Sequence, residues 1–207
     1  MSRTAPLLQR LRGGPSWLLH PLLRRRALEA LRERPRPTRV LVVCHGNICR
    51  SPFAAALLAR DLAPAGVHVE SAGFMGPGRP CPREAVTAAA RWGVDLSAHS
   101  STLLTAVRAR SADLVVVMDA AQGRAVCDWF GRWRRDVLVL GDLDPAPITA
   151  RAIRDPVEQS IDVFVETYAR IERCTTAVAQ ALTSSPPWLR GSPPAVGAAG
   201  TDREPSP

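Results

Sequence analysis

Strand-like runs alternate with helical stretches along most of this chain, and that alternation limits its fold more than any other feature. "RVLVVC" (Arg39–Cys44), "VHVESAG" (Val67–Gly73), "ADLVVVMD" (Ala112–Asp119) and "DVLVLGD" (Asp136–Asp142) read as strands. Between and after them lie "SPFAAALLARDLA" from Ser51, "PREAVTAAARWG" closed by Gly93, and "AAQGRAVCDWFGRW" interrupted by Gly123. A long final helix follows, with Ile161, Phe164, Val165, Tyr168, Ile171 and Val178 along one face. Strands that are apolar at successive positions must be buried on both faces. Helical crossovers between them make the neighbours parallel. The expectation is an α/β protein whose parallel sheet is covered by helices on both faces. In such folds ligands bind outside the carboxyl ends of the strands.

A length of 207 residues with 46% hydrophobic content suits one such domain with appendages. We expect an extension over residues 1–37, the domain over 38–183 and a disordered Pro/Gly/Ala-rich tail over 184–207, in which Trp188 has no evident task. The net charge of +8 is local: Met1–Arg39 carries ten arginines against two glutamates, whereas the rest of the chain balances. The domain therefore shows no footprint for nucleic acid. In "PLLRRRALEALRERPRP", Leu22, Leu23, Ala27, Leu28 and Leu31 fall at helical spacing opposite the arginines. That pattern fits either peripheral contact with an anionic membrane or partner, or a helix docked on its own domain. The five cysteines, Cys44, Cys49, Cys81, Cys127 and Cys174, form no small-domain disulfide framework. With no secretory leader pattern, a reducing cytoplasm is the expected setting.

The chemistry concentrates in "VVCHGNICRSP" (Val42–Pro52), where the first strand turns into a helix. A thiol nucleophile needs something to stabilise its thiolate. Cys44 would face the amino end of the next helix, where free N–H groups and the positive end of the dipole converge. Arg50 adds a fixed charge, and Ser51 a hydroxyl donor. The same geometry binds a tetrahedral oxyanion: Gly46 and Asn47 tolerate the positive φ that aims successive N–H groups inward, and Arg50 can pair with two phosphate oxygens. Phosphoryl transfer to sulfur follows, with no cofactor and no metal. A nucleotide-binding loop is excluded, since G-x-x-x-x-G-K-[ST] is absent and the chain has no lysine.

"VCHGNICRSP" resembles the phosphate-binding loop of the low-molecular-weight protein tyrosine phosphatases. The resemblance continues through "SAG" at Ser71, "GVDLSAHSS" at Gly93, "DLVVVMD" at Asp113, "VLGDLDP" near Gly141 and "DPVEQS" at Asp155, and covers Arg39 to Leu182. It implies a four-stranded parallel sheet in a flavodoxin-like, Rossmann-like three-layer sandwich. It also implies Cys44 as nucleophile, Arg50 as phosphate clamp and Asp155 as general acid. The loop itself would comprise His45, Gly46, Asn47, Ile48, Cys49 and Ser51, with Ser71 and His99 supporting its turn from behind. The His45 side chain should point outward, and Trp92, Trp129 and Trp133, in or beside helices, should serve as core or partly exposed packing and not as substrate platforms.

Val157 and Glu158 follow "DP" where tyrosine-directed members place an aromatic wall, so the rim should be less aromatic and more acidic. Phe53 and Ala55 replace familiar residues of the first helix, as repacking. Ile48 favours an aromatic ester over phosphoarginine, because arginine-directed members carry threonine there. Cys49 could trap an oxidised Cys44 as a disulfide, or simply fill space as a small buried side chain. Arsenate reduction is the rival chemistry, but its thiol relay needs two cysteines close together beyond the third strand, and that segment, "VVVMDAAQGRAVCDWF", offers only Cys127. A non-catalytic phosphoprotein-binding module is the other alternative. The family resemblance points to tyrosine-phosphorylated proteins as partners, among them a bacterial tyrosine kinase of polysaccharide export.

Overall fold

The structure, a computed structural model, describes residues 19–184. The sheet has the order β2-β1-β3-β4, with β1 at Arg39–Cys44, β2 at His68–Gly73, β3 at Leu114–Val117 and β4 at Val137–Val139, every pair parallel. Alternation along each strand divides the core in two. Val40, Val42 and Cys44 of β1 face one apolar cluster together with Leu114, Val116 and Leu138. Leu41 and Val43 face the other with Val115, Val117, Val137 and Val139. Helices α1 (His20–Glu33), α2 (Arg50–Leu62), α3 (Arg83–Ala90) and α6 (Ile161–Thr183) cover the first face, and α4 (Ala106–Ser111) and α5 (Ala120–Phe130) the second. This is the expected three-layer sandwich. β1 joins β2 on one side and β3 on the other, so the chain reverses its lateral direction at the carboxyl end of β1. A crevice opens at such a switch point.

Several elements depart from expectation. Gly123 does not interrupt α5; it is buried against Val117 and Val137 of the sheet, where a β-carbon would make ordinary contacts at 3.5 and 3.6 Å. The helix stops at Gly131, whose φ of 68° is left-handed. β4 is shorter than expected because Leu140–Leu143 coil into a 3₁₀ turn. That turn starts a long connection fastened by charge: Asp142 accepts from Arg151 Nε and Nη2 at 2.6 and 2.7 Å, and buried Asp144 accepts from Arg170 Nε at 3.0 Å and Arg173 Nε at 3.1 Å. α4 was not expected; Thr105 caps it by accepting from Arg108 N–H at 3.3 Å.

The basic amphipathic helix does form, as α1, and it docks on its own domain. Leu31 is buried, and Ala27 and Leu28 pack against the cluster that α6 also feeds. The face that a membrane-inserted helix would use is thus largely occupied, leaving arginines outward. Of the tryptophans, Trp92 packs edge-on to Phe53 at 5.5 Å, whereas Trp129 and Trp133 are about 70% exposed, so their role as packing is limited. The first eighteen residues and the tail after Ser184, Trp188 included, lie outside the described residues. No described helix is long and apolar enough to cross a membrane.

The buried thiols make a pH prediction. Burial pushes Cys174 up to about 12 and Cys81 up to about 11, and raises Cys49 and the Tyr168 hydroxyl as well. The folded state then holds protons that the unfolded chain releases from the ordinary thiol value of 9.0 upward. Where the folded state binds more protons, stability falls as pH rises. The chain has no lysine and a single tyrosine, so few other groups titrate in that window. The melting temperature should therefore decline steadily from about pH 9 to about pH 11, and a flat profile there would contradict this account.

Candidate active site

The loop from Cys44 to Arg50 leaves β1 and closes on the amino end of α2. Its middle is built around Asn47, which has φ of 51° and no solvent exposure. A left-handed non-glycine residue must be held by its surroundings, and Asn47 is held at every polar atom described. Its side-chain oxygen accepts from Thr102 N–H at 2.7 Å, and its amide nitrogen donates to Ser51 Oγ and Ser71 Oγ, both at 2.9 Å. Its carbonyl lies 2.8 Å from His99 Nε2. A carbonyl can only accept, so His99 carries its proton on Nε2. Gly73 closes the arrangement from the end of β2: a β-carbon there would lie 2.8 Å from Asn47 N and 2.9 Å from Gly46 C. Only glycine lets the strand end pass so close beneath the loop.

These bonds converge on sulfur. Asn47 N–H points at Cys44 Sγ from 3.2 Å, and Ser51 Oγ lies 3.0 Å from the same atom. Ser51 Oγ accepts from Asn47, and of the two acceptors its own proton can reach, the sulfur at 3.0 Å is nearer than Ala72 O at 3.4 Å. Two donors thus converge on one sulfur. Cys44 is 2% exposed, so no water shell competes with them.

Arg50, the first residue of α2, is almost wholly buried. Its Nη1 donates to Ile153 O at 3.1 Å, and its Nη2 pairs with the Asp155 carboxylate. Asp155 reaches this position from the connection after β4, which is fixed to the sheet where Ile153 N–H donates to Met118 O at 2.9 Å. Cys44, Arg50 and Asp155 line one cleft of about 110 Å³ with His45, Gly46, Ile48, Cys49, Arg79 and Val157. Its walls are Ile48 and Val157. Glu158 is exposed with φ of 62°, and His45 is exposed as expected. Beneath, Cys49 is buried and its carbonyl accepts from the Tyr168 hydroxyl at 3.1 Å, while Phe53 stacks on Tyr168 with centroids 3.9 Å apart.

The structure thus brings together every residue that the sequence nominated here, including Ser71 and His99. It adds Arg79, which had drawn no attention in "GPGRPCP". Its Nη2 donates to Gly46 O at 2.7 Å, and its backbone is tied to Ser101 in both directions. Cys44 and Cys49 are both free thiols. Cys127 belongs to the apolar cluster on the other face of the sheet from Cys44, so a thiol relay between them has no short route.

Comparison with known proteins agrees with this geometry. The family described as Low molecular weight phosphotyrosine protein phosphatase matches residues 39–186. The chain is 38% identical over 135 residues to a protein of Ralstonia nicotianae named probable low molecular weight protein-tyrosine-phosphatase EpsP, covering 65% of this chain and 88% of that one. Among solved structures it is similar to the Erwinia amylovora tyrosine phosphatase AmsI, with 30% identity, a TM-score of 0.66 and coverage of 73% and 97%. It is also similar to the YwlE arginine phosphatase from Geobacillus stearothermophilus, with 28% identity, a TM-score of 0.63 and coverage of 70% and 93%.

Proposed function

Because the chain belongs to the low molecular weight phosphotyrosine protein phosphatase family, and is a protein-tyrosine phosphatase, we propose that it works through a phosphocysteine on Cys44. The observation that carries this reading is the pair of donors on Cys44 Sγ, Asn47 N–H at 3.2 Å and Ser51 Oγ at 3.0 Å. As the phosphate monoester enters, the Arg50 guanidinium turns its donors from Asp155 to two phosphate oxygens, and Asp155 faces the ester oxygen. The thiolate attacks phosphorus, the P–O bond to tyrosine breaks, and the Asp155 carboxylic acid gives its proton to the leaving oxygen. Loop N–H groups and Arg50 meet the charge that develops on the equatorial oxygens. Water then attacks phosphorus, Asp155 takes a proton from it, and the S–P bond breaks to release inorganic phosphate and the thiolate. His99 and Ser71 act through Asn47, by fixing the turn that aims its N–H. Residues 38–183 carry this chemistry, and the reduced thiols suit a cytoplasmic setting.

Phosphotyrosine is favoured over phosphoarginine by the apolar walls, Ile48 and Val157, which suit a flat aryl ring better than a cationic stem. Tyrosine-phosphorylated proteins are the substrate class, and a tyrosine kinase serving polysaccharide export fits as one of them. The test is paired hydrolysis of a phosphotyrosyl peptide and a phosphoarginyl peptide of the same sequence in EDTA. The tyrosyl ester should be preferred, and Ile48→Thr should narrow the gap. Equal kcat/KM for the two esters in the unmodified chain would overturn the preference.

A further inference from the structure

A groove that shares no lining residue with the catalytic cleft holds a concentration of positive charge that phosphatase chemistry does not use. Where α1 runs beside β3 and β4, Leu23, Leu31, Leu114 and Val137 floor a cavity of about 230 Å³. A second cleft of about 750 Å³ continues from it beneath Pro35 to Thr38, and the two share Ala30, Arg34 and Arg135. Together they are lined by eight arginines against four carboxylates, an excess of four. The domain from Val40 onward is otherwise electrically balanced, so this excess is a matter of placement. The arginines of α1 and its linker meet those of "RWRR" (Arg132–Arg135) in one groove.

The carboxylates present do not neutralise it. Asp142 is committed to Arg151 at 2.6 and 2.7 Å. Asp136 sits between two guanidiniums, 3.7 Å from Arg34 Nη2 and 3.6 Å from Arg132 Nη2. Burial, with Arg132 nearby, lowers the pKa of Arg34 despite Asp136 and Asp113. The Nε atoms of Arg34 and Arg132 are buried without an acceptor among the described residues. Arg26, Arg134 and Arg135 have no carboxylate partner among those residues either. Arg34, Arg110 and Arg132 do donate to the carbonyls of Asp113, Phe130 and Arg110 at 2.7, 3.3 and 3.2 Å, but those acceptors carry no charge, so the positive excess of the groove stands.

We propose that this groove between α1 and the edge of the sheet at β3 and β4 binds a phosphate-bearing polyvalent anion. An excess of four charges asks for a ligand with several negative charges, and the guanidinium fork matches two oxygens of one tetrahedral centre. The same chemistry is offered by a free polyphosphate and by the headgroup of an anionic phospholipid. Trp133, exposed next to Arg134 in the chain, has the Arg135 guanidinium 5.6 Å from its ring centroid.

The experiment compares the full chain with its Arg26→Glu/Arg135→Glu variant, which reverses two exposed charges and cancels the excess. Calorimetric titration with sodium pyrophosphate should show one bound equivalent fewer in the variant, or at least about tenfold weaker binding at that site. Any pyrophosphate held in the catalytic cleft contributes equally to both chains. Hydrolysis of p-nitrophenyl phosphate at the unmodified rate verifies that the variant is folded, and Arg26→Gln, a milder change, should give a smaller loss of the same kind. In a second arm, the full chain should co-sediment with vesicles of equimolar phosphatidylcholine and phosphatidylglycerol, and the variant should not. Loss in the first arm assigns the site to a free anion, and loss in the second alone assigns it to a lipid headgroup. If the two chains are indistinguishable in both arms, the site does not exist.

Discussion

Cys44→Ser should reduce hydrolysis of a phosphotyrosyl peptide by about 10⁴-fold or more, the scale seen when a covalent nucleophile is removed from an otherwise intact site. The substitution exchanges one atom, sulfur for a smaller oxygen, and leaves the rest of the side chain alone. Asn47 N–H and Ser51 Oγ would still point at the new hydroxyl, but two hydrogen bonds cannot ionise an alcohol at neutral pH, and a neutral hydroxyl is a far weaker nucleophile toward phosphorus than sulfur. Anion binding rests on other groups, Arg50 and the amide donors of the loop, so inhibition by inorganic phosphate should be retained within about threefold, under 1 kcal/mol. The two readouts are steady-state hydrolysis and a phosphate titration of the variant. Turnover above about one per cent of normal with intact phosphate binding would remove Cys44 from the nucleophile's role.

Asp155→Asn should lower kcat by about 10²- to 10⁴-fold for phenyl phosphate, the range ascribed to general acid–base catalysis. The loss should shrink for p-nitrophenyl phosphate, whose leaving oxygen needs a proton less. Asparagine keeps the shape beside Arg50 yet has no acidic proton to give. The carboxylate is delivered by the connection that Asp142 and Asp144 fasten through Arg151, Arg170 and Arg173, so its position does not depend on its own charge. The measurement is kcat for a series of aryl phosphates of graded leaving-group acidity. A loss of equal size across the series would show that Asp155 shapes the cleft and donates no proton.

How much of this could be read from the sequence follows from how local each signal is. β1 was legible to the residue, because a strand buried on both faces is a continuous apolar run and Cys44 ends it. The loop was legible because its parts adjoin in sequence, and Ser71 and His99 because they stand in segments of the same resemblance. Arg79 was not, since its partner is a backbone carbonyl thirty-three positions away and carbonyls leave no trace in a sequence. The ion pairs of Asp142 and Asp144 were hidden for the same reason: their arginines are remote, in a chain where every basic residue is arginine. α4 is six residues long, too short to display a helical period. α1 showed its period clearly, but a leucine stripe looks alike whether it meets lipid or protein, and only the packed structure tells the two apart.

Tyr168, described above as the support beneath Cys49, is the sole tyrosine in the chain, fully buried, with its hydroxyl engaged. A kinase that modifies tyrosine would find no acceptor on the folded molecule. This phosphatase therefore cannot be marked by the signal it erases, nor can two copies dephosphorylate one another. Feedback from such a kinase would have to arrive through some chemistry other than a phosphorylated phenol.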